Sequence, residues 1–292
     1  MRKKKKINIL VTGAGTLIGN SICVYLLSKK YNVLGSYKTN KPKNLKNKIL
    51  KIDLDKKIKL NFKFDYLVHC ASAIPDYNLN SKSMFKTNLY GLKNLLKSVD
   101  QKRCEKIILI SSSSVFGKPK DKIVKKNVKL KPIDAYGKSK LQMENELIKF
   151  CKINKINYSI FRLTGVIGKN SSHNFLSNCF NKIKNNKKLY ISNPNLKFNT
   201  LVNVNNLVKI IMKSINIKYD EIHNLGTRYP MKLINIIKFF YLKLKKKENF
   251  KVIKSLDKGY SINLSKDLKK RYRIFTTKES LRKFILDNNI KQ

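Results

Sequence analysis

Near its start the chain has an apolar run that leads into a glycine-rich turn: residues 7–19 read INILVTGAGTLIG. The run INILV has the length and composition of a buried parallel strand, and the residues after the turn predict a helix over 18–28. Such a turn lets the backbone approach a pyrophosphate, which the free N–H groups of the helix N-terminus then bind. The glycines Gly13, Gly15 and Gly19 depart from the usual GxGxxG spacing, so an ordinary tight strand–helix turn is the open alternative.

Strand-like and helix-like segments alternate along the first part of the chain. The predicted strands are Ile7–Val11, Asn32–Ser36, Ile49–Ile52, Tyr66–Cys70, Lys106–Ser111 and Asn157–Phe161. The predicted helices are Ile18–Ser28, Ser83–Ser98, Ala135–Cys151 and Phe175–Asn185. This alternation predicts an α/β fold, a Rossmann-type doubly wound parallel sheet with ligands at the carboxyl ends of its strands. We expect a dinucleotide-binding domain over 1–164 and a smaller C-terminal substrate-binding lobe over 165–292, part of which can return to the sheet.

Basic residues dominate the charge of the chain: 65 Lys and Arg against 17 Asp and Glu give a formal net charge of +48. Only 7 of these basic residues are Arg and 58 are Lys, whereas phosphate and base recognition tends to recruit the planar guanidinium. Lys, Asn and Ile all have A/T-rich codons, so compositional bias explains the charge better than nucleic-acid binding does. The charge should still attract anionic ligands, nucleotides included.

The cysteines are widely spaced and form no CxxC or other metal-type pair, which predicts free thiols in a reducing, cytoplasmic compartment and no metal site. No apolar stretch approaches the ~20 residues that a membrane span needs. The densest stretch, Leu233–Leu244, is interrupted by Lys238 and Lys243 and predicts an amphipathic helix. We therefore expect neither a membrane nor a nucleic acid as a partner. The cysteines are Cys23, Cys70, Cys104, Cys151 and Cys179.

Tyr136 and Lys140 stand four residues apart in AYGKSK, which places both side chains on one face of a helix. A nearby ammonium stabilises a phenolate, so such a tyrosine can act as an acid or a base closer to neutral pH than its free pKa of ~10 suggests. Only this tyrosine follows a buried strand that ends in a serine cluster, KIILISSSSVFG, and Asp134 can cap its helix. The same spacing also occurs at Tyr25/Lys29, Tyr37/Lys41 and Tyr241/Lys245.

Further short motifs follow one another in a recognisable order. The first are VTGAGTLIG, IDL at 52–54, LVHCASA at 67–73 and TNLYGLKNLL at 87–96. SSSSVFG, YGKSK, RLTGVIG at 162–168, FNTLVNVNNLV and HNLG come after them. Together they resemble the extended short-chain dehydrogenase/reductases, the NAD-dependent epimerase/dehydratase group, over nearly the whole chain. The resemblance implies a bound nicotinamide dinucleotide and a nucleotide-sugar substrate.

The resemblance also implies roles for individual residues. Ser112 falls at the catalytic Ser/Thr position, Tyr136 at the acid/base, and Lys140 at the residue that lowers the tyrosine's pKa and binds the nicotinamide ribose. We expect substrate contacts from Ser113, Asn174 and Arg228. A turn role for Asp53 and a helix-packing role for Asn88 are the open alternatives. The cofactor would be held, besides Tyr136 and Lys140, by Gly13, Gly15, Thr16, Leu17, Ile18, Gly19, Asp53, Leu54, Cys70, Ala71, Ser72 and Asn88.

The chain departs from the family's pattern at three places. Its second strand ends in Ser36 and Lys38 without the acidic residue that binds the ribose 2′-OH of NAD. A hydroxyl and a lysine tolerate a 2′-phosphate, so the cofactor is NAD or NADP, with NADP favoured. After Ser112 come two further serines, where the family's sugar 4,6-dehydratases carry an Asp-Glu pair. Gly165 stands where many sugar epimerases keep a substrate-contacting Asn, which leaves the sugar open.

These departures leave a 4-epimerase or a ketoreductase that transfers a hydride at one carbinol of a nucleotide-linked sugar. One alternative is an NADPH-dependent reductase of a non-sugar ketone or aldehyde. Another is a catalytically silent dinucleotide-binding protein, against which the intact set of Ser112, Tyr136 and Lys140 argues. Relatives typically form homodimers through a helix bundle, which in this chain would include residues 135–151.

Overall fold

The structure, a computed structural model, describes residues 7–45, 48–74, 81–172, 174–255 and 258–288. The chain divides into two compact units. The first unit comprises residues 1–118, 129–162 and 211–223, and the second comprises residues 119–128, 163–210 and 224–292. A functional division at residue 164, with the cofactor on one side and the substrate on the other, stays a prediction.

A seven-stranded sheet forms the centre of the first unit. With its strands numbered in chain order, their spatial order is β7-β6-β5-β4-β1-β2-β3. Strand β1 pairs in parallel with both β2 and β4, so the chain reverses its direction of winding at β1 and leaves a crevice at the carboxyl ends of these strands. This confirms the predicted doubly wound α/β sheet. The strands are Asn8–Thr12 (β1), Asn32–Tyr37 (β2), Ile49–Lys51 (β3), Tyr66–His69 (β4), Lys106–Ser112 (β5), Asn157–Leu163 (β6) and Glu221–Asn224 (β7).

The helices of the first unit begin at polar caps. The Thr16 hydroxyl accepts a hydrogen bond from the Gly19 N–H at 3.2 Å, and the Asp134 carboxylate accepts one from the Gly137 N–H at 2.7 Å, as predicted for Asp134. The helix predicted over 83–98 is instead two short α-helices joined by a π-helical turn, Lys86–Tyr90. The α-helices of this unit are Leu17–Ser28 (α1), Ser81–Phe85 (α2), Gly91–Leu96 (α3) and Ala135–Asn154 (α4).

Apolar side chains bury both faces of the sheet, as a parallel sheet requires. In β5 every residue except the last is buried, and β4 is buried along its whole length. Helix α4 packs its apolar stripe, which includes Met143, Leu147 and Cys151, into the same core as Leu67 and Leu109. The rigid core thus fixes the strand ends and the first turns of α1 and α4, where the candidate functional residues lie.

The second unit is built from helices and short strand pairs. Its core includes three phenylalanines, Phe180, Phe240 and Phe284, whose ring centroids lie 4.9 to 6.0 Å apart. The predicted amphipathic helix at Leu233–Leu244 is confirmed. The remaining α-helices of the chain are Phe175–Lys184 (α5), Val204–Ile215 (α6), Leu233–Leu244 (α7), Lys266–Arg271 (α8) and Thr277–Asp287 (α9). The paired strands are Gly165–Ile167 with Leu201–Asn203, Leu189–Ile191 with Phe250–Val252, Lys197–Phe198 with Met231–Lys232, and Ile123–Val124 with Ser261–Ile262.

Three predictions about the environment of the chain concern membranes, metals and thiols. Among the described residues no helix combines the length and apolar character needed to cross a membrane. In the same part of the chain no group of three His, Cys, Asp or Glu side chains is placed to hold a metal ion. All five cysteines are buried free thiols. A cytoplasmic location stays a prediction.

Candidate active site

The glycines of the turn between β1 and α1 stand at positions that have no room for a side chain. Gly13 has φ +74°, and a Cβ there would lie 2.8 Å from the Ala71 nitrogen. At Gly19 a Cβ would lie 2.2 Å from the Gly13 oxygen. The first-turn N–H groups of Leu17 and Ile18 precede the start of the helix's own hydrogen-bond pattern. A turn whose glycines let the backbone come close, next to the free donors of the first helical turn, fits a pyrophosphate.

Thr12 and His69 join the ends of β1 and β4 beside this turn. The Thr12 hydroxyl lies 2.7 Å from Nδ1 of His69 and accepts the N–H groups of Cys70 and Ala71, each at 3.2 Å. Because the hydroxyl has one proton and already accepts twice, it donates to Nδ1, and the neutral imidazole carries its own proton on Nε2. Burial, and to a lesser extent the nearby Lys140 ammonium, lowers the pKa of His69 to about 3, which keeps the ring neutral.

Lys38, at the end of β2, is bound by two carboxylates. Its Nζ lies 2.9 Å from Oδ1 of Asp53 and 2.7 Å from Oδ2 of Asp55. Hydrogen bonds to Asp55 and then Asp53 raise the pKa of Lys38, and the bond to Lys38 lowers the pKa of Asp53. Oδ1 of Asp55 is buried and has no hydrogen-bond partner among the described residues. Ser36, two residues earlier in β2, is buried, and its carbonyl accepts the Ala14 N–H at 2.7 Å.

Asn88 lies in the π-helical turn and links the loop after β4 to helix α4. Its Oδ1 accepts the Ala73 N–H at 2.7 Å and the Ser72 hydroxyl at 3.0 Å. Its Nδ2 donates to the Ala73 carbonyl at 3.1 Å and to the Ser139 hydroxyl at 2.9 Å. Every hydrogen-bonding position of this buried amide is therefore used within the protein, which supports the helix-packing alternative for Asn88.

Tyr136, in the first turn of α4, faces the hydroxyls of two serines, Ser112 and Ser72. Burial raises the pKa of Tyr136, whereas hydrogen bonding by Ser112 and Ser72 acts to lower it. Ser112 ends β5 and caps the turn that follows, where its hydroxyl accepts the Ser114 N–H at 3.1 Å. Ser113, the first residue of this turn, is half-buried.

Lys140 lies one helical turn after Tyr136, and its side chain lies beside the Tyr136 ring. Its Nζ lies 5.7 Å from the centre of the Tyr136 ring and donates to the Ile110 carbonyl at 3.0 Å. The side chain is 2% exposed, and burial lowers the pKa of Lys140 to about 8. Of the three residues expected to be catalytic, Tyr136 is thus brought close to both Ser112 and Lys140.

Three further positions expected to bind the cofactor, Leu54, Gly15 and Cys70, also lie in the first unit. Leu54 is buried, and its carbonyl accepts Nδ2 of Asn94 at 3.0 Å. A Cβ built on Gly15 would lie 2.1 Å from the Asn40 oxygen, so this glycine lets the turn pass the loop after β2. Cys70 is a buried thiol whose pKa is raised by burial.

Two residues of the second unit were expected to contact substrate. Asn174 caps α5: its Oδ1 accepts the Ser177 N–H at 3.0 Å and its Nδ2 donates to the Val166 carbonyl at 2.9 Å. The Arg228 guanidinium stacks 5.0 Å from the ring centre of Tyr229 and donates to its hydroxyl at 3.0 Å. Both side chains have structural partners, and their substrate roles stay predictions.

The sequence predictions missed two carboxylates of the first unit, Asp55 and Glu144. Asp55 binds Lys38, and Glu144 forms a buried ion pair with Arg162 in which Nη2 lies 2.7 Å from Oε2. A signal for Glu144 was present, because it stands four residues after Lys140 and therefore on the same helix face. Neither partner could be inferred, because Lys38 and Arg162 are distant in sequence from the carboxylates that they bind.

A comparison with known families now places the chain. The model of the NAD dependent epimerase/dehydratase family matches residues 9–226. The chain belongs to this family. The match extends from β1 through the glycine-rich turn and α4 to the end of β7, so it includes all the residues described around Tyr136.

Individual relatives of this epimerase/dehydratase chain carry similar names. A protein of Methanocaldococcus jannaschii, provisionally named a UDP-glucose 4-epimerase, is 28% identical over 236 residues, 75% of this chain and 76% of its own length. The UDP-glucose 4-epimerase of Pisum sativum is 30% identical over 162 residues, 47% of this chain and 45% of its own length.

Solved structures show the same fold. The UDP-glucose 4-epimerase of Thermotoga maritima, determined with UDP-glucose, matches with a TM-score of 0.79 at 19% identity, over 95% of this chain and 97% of that chain. The UDP-glucuronic acid 4-epimerase of Bacillus cereus, in complex with NAD, matches with a TM-score of 0.79 at 20% identity, over 97% of this chain and 95% of that chain.

Proposed function

We propose that the protein is an NAD-dependent enzyme that transfers a hydride at a single carbinol of a nucleotide-linked sugar, as a 4-epimerase or a ketoreductase. The observation that carries the proposal is the placement of Ser112 and Lys140 around Tyr136. These side chains lie at the carboxyl end of β5 and the start of α4, in the unit that also contains the glycine-rich turn. The names of the relatives, most of them UDP-sugar 4-epimerases, support the sugar class.

Tyr136 is the acid/base of this proposal. Its partly buried phenol has a raised pKa and so holds its proton, which it can donate to the oxygen of a ketone. Acting in the other direction, as a base on a sugar hydroxyl, requires positive charge beside the phenolate, and the Lys140 ammonium supplies it. Ser112 orients the substrate oxygen by a hydrogen bond and stabilises the charge that develops on it.

The cofactor site consists of this chain's own groups. The Gly13–Gly19 turn and the first-turn N–H groups of α1 would hold the pyrophosphate, and Asp53 and Leu54 would flank the adenine. Lys140 would bind the nicotinamide ribose. A bound nicotinamide supplies the hydride acceptance and donation at its C4 that no side chain can provide.

The surroundings of Lys38 lead us to prefer NAD over the NADP that the sequence favoured. The lysine that was expected to meet a 2′-phosphate is already paired with Asp53 and Asp55. One more anion there would face two carboxylates for one ammonium, whereas a ribose hydroxyl could donate to the carboxylate of Asp53, whose side chain is 34% exposed. The balance of charge at Lys38, Asp53 and Asp55 therefore favours NAD over NADP.

The substrate is assigned to residues 165–292, with the cofactor on residues 1–164. Arg228 is the candidate for the substrate diphosphate, and Ser113 for a sugar hydroxyl. Asn174 is a weaker candidate because its amide already caps α5. Gly165 stands where an Asn is common among sugar epimerases. Because glycine has no side chain, other residues must select the sugar.

A reductase of a non-sugar ketone or aldehyde is the second candidate function, since Ser112, Tyr136 and Lys140 suit any carbonyl. Turnover of a panel of nucleotide sugars, set against small ketones with NADH and NADPH, separates the two candidates. Mass identification of the small molecules that co-purify adds a second criterion. Retained NAD favours an epimerase that recycles its own hydride, and an empty protein that fills with reduced cofactor favours a reductase.

The decisive test of the proposal is Tyr136→Phe. We expect kcat to fall by at least about 100-fold, because general acid–base catalysis contributes roughly that much or more, while the affinity for NAD stays within about twofold. The measurements are steady-state turnover of the nucleotide sugar found in the panel and calorimetric titration with NAD.

Tyr25→Phe is the matched control. Tyr25 has the same spacing from a lysine, and the Lys29 Nζ lies 5.8 Å from its ring centre, close to the 5.7 Å between Lys140 and Tyr136. We expect this variant to keep wild-type turnover. Unchanged turnover in Tyr136→Phe would refute the assignment of the acid/base.

We also propose a homodimer formed through helices α3 and α4. A groove between them is lined by Tyr90, Leu96, Phe150 and Ile153 together with lysines. Tyr90 is 56% exposed and Ile153 is 69% exposed, which is unusual for large apolar side chains on neighbouring helices.

A further inference from the structure

Helix α4 carries three ionisable side chains at intervals of four residues: Tyr136, Lys140 and Glu144. This spacing aligns them on the helix face that packs against the end of β5. The last three residues of β5 each bind one of them. The Ser112 hydroxyl interacts with Tyr136, the Ile110 carbonyl accepts Nζ of Lys140, and the Ser111 hydroxyl donates to Glu144.

Glu144 is the most strongly bound of the three. Its side chain is 1% exposed and accepts the Ser111 hydroxyl at 2.5 Å. Arg162, from β6, donates its Nε at 3.1 Å and its Nη2 at 2.7 Å to the carboxylate. An ion pair of this kind, held by a fork-shaped guanidinium, fixes the carboxylate in one position.

Of the groups described around Lys140, Glu144 is the one that carries a negative charge. On β4, His69 is neutral because its pKa is lowered to about 3, and burial raises the pKa of the Cys70 thiol, which therefore stays protonated. On β5, the Ile110 carbonyl is uncharged. On α4 itself, Tyr136 is a phenol, and Glu144, after Cys70, opposes the effect of burial on the pKa of Lys140.

We propose that Glu144, fixed by Arg162 and Ser111, is a positioning residue that keeps Lys140 charged beside Tyr136. This inference rests on the proposed function, because it assigns the purpose of the Lys140 charge to the phenolate of Tyr136 and to the cofactor. A buried lysine without a nearby carboxylate loses its proton readily. Arg162 prevents Glu144 from pairing directly with Lys140, so the ammonium stays available to the tyrosine.

The proposal has a defined pH signature. The ammonium is present below the pKa of Lys140, about 8, and is lost as the pH rises through that value. The alkaline limb of kcat/KM and the affinity for NAD should therefore both fall near this pH. In Glu144→Gln the carboxylate charge is gone, and we expect both transitions to move to lower pH by on the order of one unit.

Two further variants make the test independent of folding. Glu144→Gln removes the carboxylate that pairs with the buried Arg162 guanidinium and is expected to destabilise the protein. The double variant Glu144→Gln/Arg162→Gln removes both charges and keeps hydrogen-bonding groups, so it should fold. Because loss of the Arg162 positive charge acts on the pKa of Lys140 in the opposite direction to loss of the nearer Glu144 carboxylate, we expect the double variant to move both transitions in the same direction as Glu144→Gln but by a smaller amount.

Glu146→Gln is the control on the same helix, since Glu146 pairs with Lys93 at the surface. It should leave both transitions at the wild-type pH. A folded double variant whose alkaline limb and NAD affinity change at the wild-type pH overturns the proposal, even if kcat is lower. NAD binding does not depend on the sugar, so this outcome is distinguishable from a failure of the proposed function, which would show as absent sugar turnover in the wild type.

Discussion

At the scale of the residue, the surroundings of Lys38 determine what the adenosine end of the site can accept. We predict that the wild-type protein binds NAD more tightly than NADP, because Asp53 and Asp55 already occupy the lysine. Replacing both carboxylates, in Asp53→Asn/Asp55→Asn, frees the ammonium for a 2′-phosphate. We expect the affinity for NADP to rise by about tenfold relative to NAD, or ~1.4 kcal/mol, in parallel calorimetric titrations.

The control for that experiment is Asp121→Asn/Asp267→Asn, which changes the net charge equally at two exposed positions. If both double variants improve NADP binding to the same extent, the general positive charge of the chain is responsible, and the local role of Asp53 and Asp55 is wrong.

At the scale of the element, the π-helical turn Lys86–Tyr90 is the feature that ties two segments of the site together. A π turn rotates the helix face relative to a regular α-helix and is frequent at functional sites. Asn88→Ala removes the amide that makes four hydrogen bonds, to Ala73 twice, to Ser72 and to Ser139. We predict a loss of ~2–3 kcal/mol in the free energy of unfolding, measured by urea denaturation.

Asn94→Ala is the matched comparison, because Asn94 lies on the adjoining α3 and its Nδ2 donates one hydrogen bond, to the Leu54 carbonyl. Its expected cost is ~1 kcal/mol. Equal losses in the two variants would contradict the linking role of Asn88.

At the scale of the whole molecule, the net charge of +48 opposes the proposed dimer, because two such chains repel each other. Salt screens this repulsion, with a Debye length of about 10 Å at 0.1 M. We predict that the molecular mass measured by sedimentation rises from that of one 34.0 kDa chain toward twice that value as NaCl increases. Ile153→Ser should prevent the rise, since it removes an apolar side chain from the α3–α4 groove.

Leu242→Ser provides the comparison, because Leu242 is equally exposed on α7, at 72% against 69% for Ile153. It should dimerise like the wild type. A mass that stays at one chain at every salt concentration, or that responds equally to both substitutions, would rule out this interface.

Much of the fold was readable from local patterns. The apolar runs predicted six of the seven sheet strands to within two residues, because buried parallel strands are continuous apolar segments, whereas Glu221–Asn224 was not predicted as a strand. The tyrosine–lysine spacing was less informative, since Tyr25 and Lys29 reproduce the same ring-to-ammonium distance without the serines. Only the serine cluster upstream distinguished Tyr136.

The sequence by itself determined the doubly wound sheet, the glycine turn and the helix face that carries Tyr136 and Lys140, because these depend on neighbours within a few residues. Tertiary structure decided which charges meet. Lys38, just after β2, is paired with Asp55 in the segment after β3, and Glu144 on α4 is paired with Arg162 on β6. Electrostatic free energy depends on distance in space rather than along the chain, so the charge balance of both ends of the site appears only once the chain is folded.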